Sequence, residues 1–191
     1  MVDPAQLFNQ ALRALEIGRV EVAVDRLKKV VAEDPADGEA VALLVDTWRD
    51  HGESARAEEL LDLLVEAVPD DVDYKVLLAD VRLELGDARG AAVVLKQVLA
   101  VRPGHWEALY LLGNAFSDAG AFAEAVKVYR LSLASNPFGE DVWHNLAVAL
   151  ERTGAATEAA EAWRGYLKVA PAAEDRGAVE ASIARLEGAA G

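Results

Sequence analysis

The chain has 191 residues, with 33 acids against 19 bases and a formal net charge of −14. That balance excludes the basic footprint of a general nucleic-acid binder, disfavours an anionic membrane surface and suits a basic partner. With 53% hydrophobic and 27% charged residues the chain is a folding one, and the absence of Cys removes disulfide scaffolds, thiolate zinc sites and cysteine nucleophiles.

No run approaches the roughly 18 apolar residues of a membrane span. Met-Val-Asp-Pro at the start lacks the basic region and apolar core of a signal peptide, so a cytoplasmic location is expected, or a periplasmic one if a signal segment was removed. Frequent Ala, Val and Arg with little Lys suggest a GC-rich bacterial source.

In chain order, Asp3 and Pro4 suit a helix N-cap and first helical position. Five copies of a 34-residue period follow, at 4–37, 38–71, 72–105, 106–139 and 140–173. Each copy reads helix, Gly turn, helix, Pro turn. Gly18, Gly52, Gly86, Gly120 and Gly154 fit a left-handed cap, and Pro35, Pro69, Pro103, Pro137 and Pro171 stop the second helix. Ala23, Ala57, Ala91, Ala125 and Ala159 sit where two helices approach closely, against a small column of Ala11, Val45, Ala79, Gly113 and Ala147. Val45, in the second copy, is expected to loosen or shift that approach. In the third copy Tyr74, Leu77, Leu78 and Val81 supply the core. In the fourth, Leu109, Leu112 and Phe116 mark one face of the first helix, and Phe122, Val126, Tyr129 and Leu133 mark the second. Residues 174–188 form a further helix whose stripe of Val179, Ile183 and Leu186 docks as a terminal cap. No strand pattern occurs, so the fold class is all-α and 1–191 reads as a single domain.

This pattern resembles the tetratricopeptide repeat. The fourth copy carries the resemblance in Leu109, Leu112-Gly113, Phe116, Gly120, Ala125, Tyr129 and Pro137. The fifth adds Trp143, Leu146-Ala147, Gly154, Ala159, Trp163 and Pro171. Lys75 and Arg82 depart from it, standing where the family prefers a large apolar residue, and Ala14 is small where an aromatic is usual. The resemblance implies a right-handed α-solenoid whose first helices line a concave face, and a protein that binds proteins or peptides.

No catalytic constellation is legible. His51, His105 and His144 share no metal-ligand spacing, and neither HExxH nor GxSxG occurs. Glu58, Asp62 and Glu66 stand four apart on one helix, which permits a cation but reads as a solvated convex face. No metal and no cofactor are expected. Trp48, Trp143 and Trp163 lie on core stripes, whereas Trp106 opens a helix and is ambiguous.

Helix geometry sets three rows on the concave side: Phe8, Ala42, Val76, Tyr110 and His144; Leu12, Asp46, Asp80, Asn114 and Val148; Leu15, Arg49, Leu83, Ser117 and Glu151. The candidate groove comprises Phe8, Leu12, Leu15, Asp46, Arg49, Val76, Asp80, Leu83, Tyr110, Asn114, Ser117 and His144. Phe8, Leu12 and Leu15 form an apolar patch, and Asp46, Asp80 and Asn114 form a polar ladder able to hold a peptide main chain. Arg49 is the only base in these rows, which disfavours a clamp for a C-terminal carboxylate. His144 reads as an inert groove histidine. The expected function is non-catalytic scaffolding of a basic or amphipathic protein segment, without nucleic acid or direct membrane insertion. The alternatives are a self-associating scaffold, in which the acidic second copy meets the slightly basic third to form a homo-oligomer, and the interaction module of a larger bacterial assembly, for which Gly-Ala-Ala-Gly reads either as a natural tail or as the start of a linker.

Overall fold

The computed structural model describes residues 3–189, which form eleven α-helices and no strand among the described residues. They are α1 (Pro4–Glu16), α2 (Val20–Glu33), α3 (Gly38–Asp50), α4 (Ser54–Ala67), α5 (Val72–Glu84), α6 (Ala88–Val101), α7 (Trp106–Asp118), α8 (Phe122–Ser135), α9 (Glu140–Thr153), α10 (Ala156–Val169) and α11 (Arg176–Ala189). The helices α1, α3, α5, α7 and α9 open at the starts of the five sequence periods. Contacts divide the chain into two compact units, Met1–Leu85 and Gly86–Gly191, with the boundary in the Gly turn between α5 and α6.

Local chemistry sets each helix end. One residue before four of the five first helices, Asp3, Asp37, Asp71 and His105 accept a backbone N–H with the side chain, whereas Gly139 before α9 has no side chain to do so. All five period glycines have positive φ, from 71° to 82°. No atom lies within 4 Å of where their Cβ would stand, so backbone conformation alone demands glycine there. After Gly120 the chain closes with Ala121 N–H donating to the Phe116 carbonyl at 2.8 Å, and Arg19, Glu53 and Ala155 repeat that bond to Ala14, Trp48 and Leu150.

In the first unit, α1 packs on α2, α2 on α3, α3 on α4 and α4 on α5. The small columns are fully buried: Ala11, Ala23, Val45, Ala57 and Ala79 expose nothing. The backbones of α3 and α4 run close together over a shorter stretch than those of α1 and α2. Tyr74, Leu78 and Val81 of α5 are buried, and the Tyr74 hydroxyl donates to the Pro35 carbonyl at 2.8 Å.

In the second unit, the pairs α6–α7, α7–α8, α8–α9, α9–α10 and α10–α11 pack in succession. Gly113 is required sterically: a Cβ there would lie 2.3 Å from the ring of Tyr129, which is itself buried. The helix α11 docks through Val179 and Leu186, both buried, with Ile183 half-buried.

Candidate functional site

The three rows occupy one face of each first helix, because residues i, i+4 and i+7 share a face. In the first unit Phe8 and Leu15 are half-buried and Leu12 is 38% exposed, so the apolar patch of α1 is partly open. On α3, Asp46 is exposed and Arg49 half-buried. On α5, Asp80 and Leu83 are half-buried. Val76 is only 5% exposed; it packs inward and offers little surface to a ligand.

Arg49 organises the polar part of this unit. Its guanidinium lies 2.9 Å from Asp80 and 3.6 Å from Asp46, its Nε donates to Glu84 Oε1 at 2.9 Å, and its Nη2 pairs with the same oxygen. One base thus ties α3 to α5 beneath three carboxylates. Hydrogen bonding to Glu84 leads the causes that raise the Arg49 pKa. Burial raises the Asp80 carboxyl above its ordinary value, and the charge of Arg49 only partly offsets it. Glu84 belongs to this cluster and lies outside the three rows. Its separation from Arg49, one period plus one residue, is the signal that reaches it.

Arg82 corrects another reading. The acids Glu58 and Asp62 do face a cation, but it is internal: Arg82 Nε donates to Glu58 at 3.1 Å and its Nη2 to Asp62 at 2.7 Å. A solvated face therefore describes these two carboxylates incompletely. They hold a base that stands in an apolar column, on a side chain only 19% exposed. Trp48 is buried as expected, with the Arg56 guanidinium 5.2 Å from its ring centroid.

In the second unit Tyr110, Asn114, Ser117 and His144 are all half-buried. Asn114 Oδ1 accepts the Tyr129 hydroxyl at 2.8 Å and the Asn145 amide at 3.0 Å. Its carbonyl is therefore committed within the protein, and the amide N–H groups are what it can offer a ligand. Asn145 is one period minus three residues from Asn114, outside the predicted rows. Burial, foremost, drives the Tyr129 phenol well above its ordinary pKa. His144 stands edge-on to Trp163, with centroids 5.0 Å apart, and to Tyr166 at 5.6 Å, so it belongs to an aromatic cluster. Glu151 of the third row accepts the Trp163 indole N–H at 2.7 Å and Arg185 of α11 at 2.6 Å. Of the tryptophans, Trp163 is buried, Trp106 is 40% exposed, and Trp143 is half-buried rather than enclosed.

No cluster of three or more His, Cys, Asp or Glu side chains suited to a metal occurs among the described residues. No helix among them is long and apolar enough to cross a membrane.

Two family models, both described as tetratricopeptide repeat, match residues 7–81 and 76–140. No curated protein sequence matches the chain. Solved structures share the fold. A MamA protein from Desulfovibrio magneticus RS-1 superposes with a TM-score of 0.74 at 22% identity, covering 91% of this chain and 99% of that one. A thermophilic tetratricopeptide protein of Thermus thermophilus gives 0.72 at 20% identity, covering 96% and 98%. One from Parabacteroides merdae gives 0.75 at 18% identity, covering 97% and 73%. At these identities the likeness is one of fold.

Proposed function

Because the chain belongs to the tetratricopeptide repeat family, whose members generally serve as protein-interaction modules, we propose that it is a non-catalytic scaffold that holds a basic, amphipathic segment of a partner protein. The first-helix faces of the unit Met1–Leu85 receive that segment.

The observation that carries this reading is the charge around Arg49. Asp46, Asp80 and Glu84 converge on one guanidinium and exceed it by two negative charges. Their side chains remain 62%, 34% and 38% exposed, so the surplus is accessible. The same unit holds 20 acids against 9 bases. Leu12, with Phe8 and Leu15 beside it on α1, supplies the apolar component. Arg49 also argues against a carboxylate clamp, since its charge is already shared among three carboxylates of the protein.

Self-association is the second reading, and the ion pairs weaken its electrostatic basis. Arg82, part of the basic surplus of the third copy, is consumed by Glu58 and Asp62.

The test is anisotropy titration of two labelled amphipathic peptides, identical except that Lys in one is Glu in the other. The lysine form should bind more tightly and lose affinity as salt rises. Asp46→Lys should weaken it by roughly threefold to tenfold, in line with the modest worth of exposed ion pairs. Asp80 is the wrong residue to reverse: a lysine there would face Arg49 and open the link between α3 and α5. Equal binding of the two peptides, or an unchanged affinity in Asp46→Lys, would sink the proposal.

A further inference from the structure

The second unit contains a hollow that the first-helix faces do not account for. It measures about 400 Å³, opens between α8 and α10 and is floored by α9. Trp143, Leu146 and Leu150 form the floor, and Leu133 of α8 and Ala162 of α10 form the walls. This is the side of the second helices, away from the three rows.

Two departures from the repeat shape it, one in the wall and one beneath the floor. The column of Ala162 carries Leu60, Val94 and Val128 in the three preceding copies, so the wall is cut back only here. Gly165 stands where those copies have Leu63, Gln97 and Leu131. A Cβ at Gly165 would lie 2.5 Å from Trp143 Cε3, so the indole lies against bare backbone of α10. The indole N–H donates to the Pro137 carbonyl at 2.9 Å, which fixes the orientation of the ring. The hollow is therefore preformed, as ligand sites usually are, and its volume is at the small end of their range.

The mouth is charged. Arg130 of α8 pairs with Glu158 of α10. Glu161, nearly one turn further along α10, has no ion-pair partner among the described residues, so the rim carries an uncompensated negative charge.

We propose that this hollow is a second docking site, for a partner polypeptide that inserts one aromatic or large aliphatic side chain and places an adjacent lysine or arginine on Glu161. The apolar floor rewards burial of the side chain. The rim charge selects a basic neighbour and repels an acidic one. The proposal is independent of the groove reading, because no residue is shared between them.

The experiment records methyl and indole NMR spectra of the full chain titrated with three blocked dipeptide amides: phenylalanyl-lysine, phenylalanyl-glutamine and phenylalanyl-glutamate. Phenethylamine is the fourth ligand. The lysine dipeptide should shift the Leu146 and Leu150 methyls and the Trp143 indole N–H, with millimolar affinity about threefold tighter than the glutamine form, as expected for a rim charge. The glutamate form should be weakest. Glu161→Gln, at an exposed position, should equalise the lysine and glutamine dipeptides without affecting the fold. Ala162→Leu, which restores the residue type of the second copy, should abolish the shifts for all three. Absence of charge order, binding that survives Ala162→Leu in a folded protein, or shifts confined to other residues would overturn the proposal. So would phenethylamine binding as tightly as the lysine dipeptide, since that result marks a small-amine site.

Discussion

Gly120 holds φ at +74° with no atom near its absent Cβ, whereas Gly113 has ordinary backbone but faces the Tyr129 ring at 2.3 Å. The two glycines are needed for different reasons, and substitutions separate them. Gly120→Ala should cost about 1–2 kcal/mol through left-handed strain alone. Gly120→Asn should cost less, because Asn tolerates that region. Thermal denaturation gives the order directly; equal losses for Ala and Asn would mean that packing, not conformation, selects glycine at this turn. Side-chain chemistry at single positions is less uniform along the repeat. Arg49 and Arg82 each take two or more carboxylates as partners, and Asn114 spends its carbonyl on Tyr129 and Asn145.

Each second helix ends at a proline turn and each first helix closes on a glycine, so the helices differ chiefly in what covers their outer faces. The terminal helix α11 illustrates this. Two buried side chains, Val179 and Leu186, are its main apolar anchors. Polar ties complete the docking: Tyr166 donates to Asp175 at 3.0 Å, Arg164 pairs with Glu187, and Arg185 reaches Glu151. Burial by itself raises the Glu151 carboxyl, but the hydrogen bonds from Arg185 and Trp163 outweigh it, so the net pKa is lowered. A lowered carboxylate pKa contributes stability above its unfolded value of 4.5, and that contribution is lost as pH falls through the folded value. Glu151→Gln should therefore loosen α11 at pH 7 by about 1 kcal/mol, a figure reduced by the exposure of Arg185. Amide exchange along α11 should differ between the two proteins at pH 7 and converge as pH falls through the lowered folded value. A gap that stays constant with pH would assign Glu151 a purely steric role.

Charge is distributed unequally over the whole molecule. Residues 1–85 hold 20 acids and 9 bases, and residues 86–191 hold 13 and 10. The first unit therefore repels itself far more than the second. Raising salt from about 0.02 M to 0.3 M shortens the screening length well below the size of a helix pair. Residue-resolved hydrogen exchange should show protection rising more in α1–α5 than in α6–α11. Equal gains in both units would show that net charge does not limit the stability of the first unit.

The 34-residue spacing of Pro, Gly and Ala determined the all-α repeat, the starts of the five first helices and the left-handed glycines, because each of these follows from backbone preference and periodic burial. The helix faces of Phe8, Leu12, Asp46, Asp80 and Asn114 were legible for the same reason. What each polar side chain does was not legible. Separations near one period bring Arg49 onto Asp80 and Glu84, and Arg185 onto Glu151, and only the packing of neighbouring helices decides which rotamers meet. Arg82, an exception to the apolar column, found its explanation in the acids of the preceding helix. The hollow over Trp143 depended on the short side chain of Ala162 and on Gly165, whose missing side chain makes room for the indole. A short side chain leaves a cavity only when the surrounding helices are held in place by other contacts.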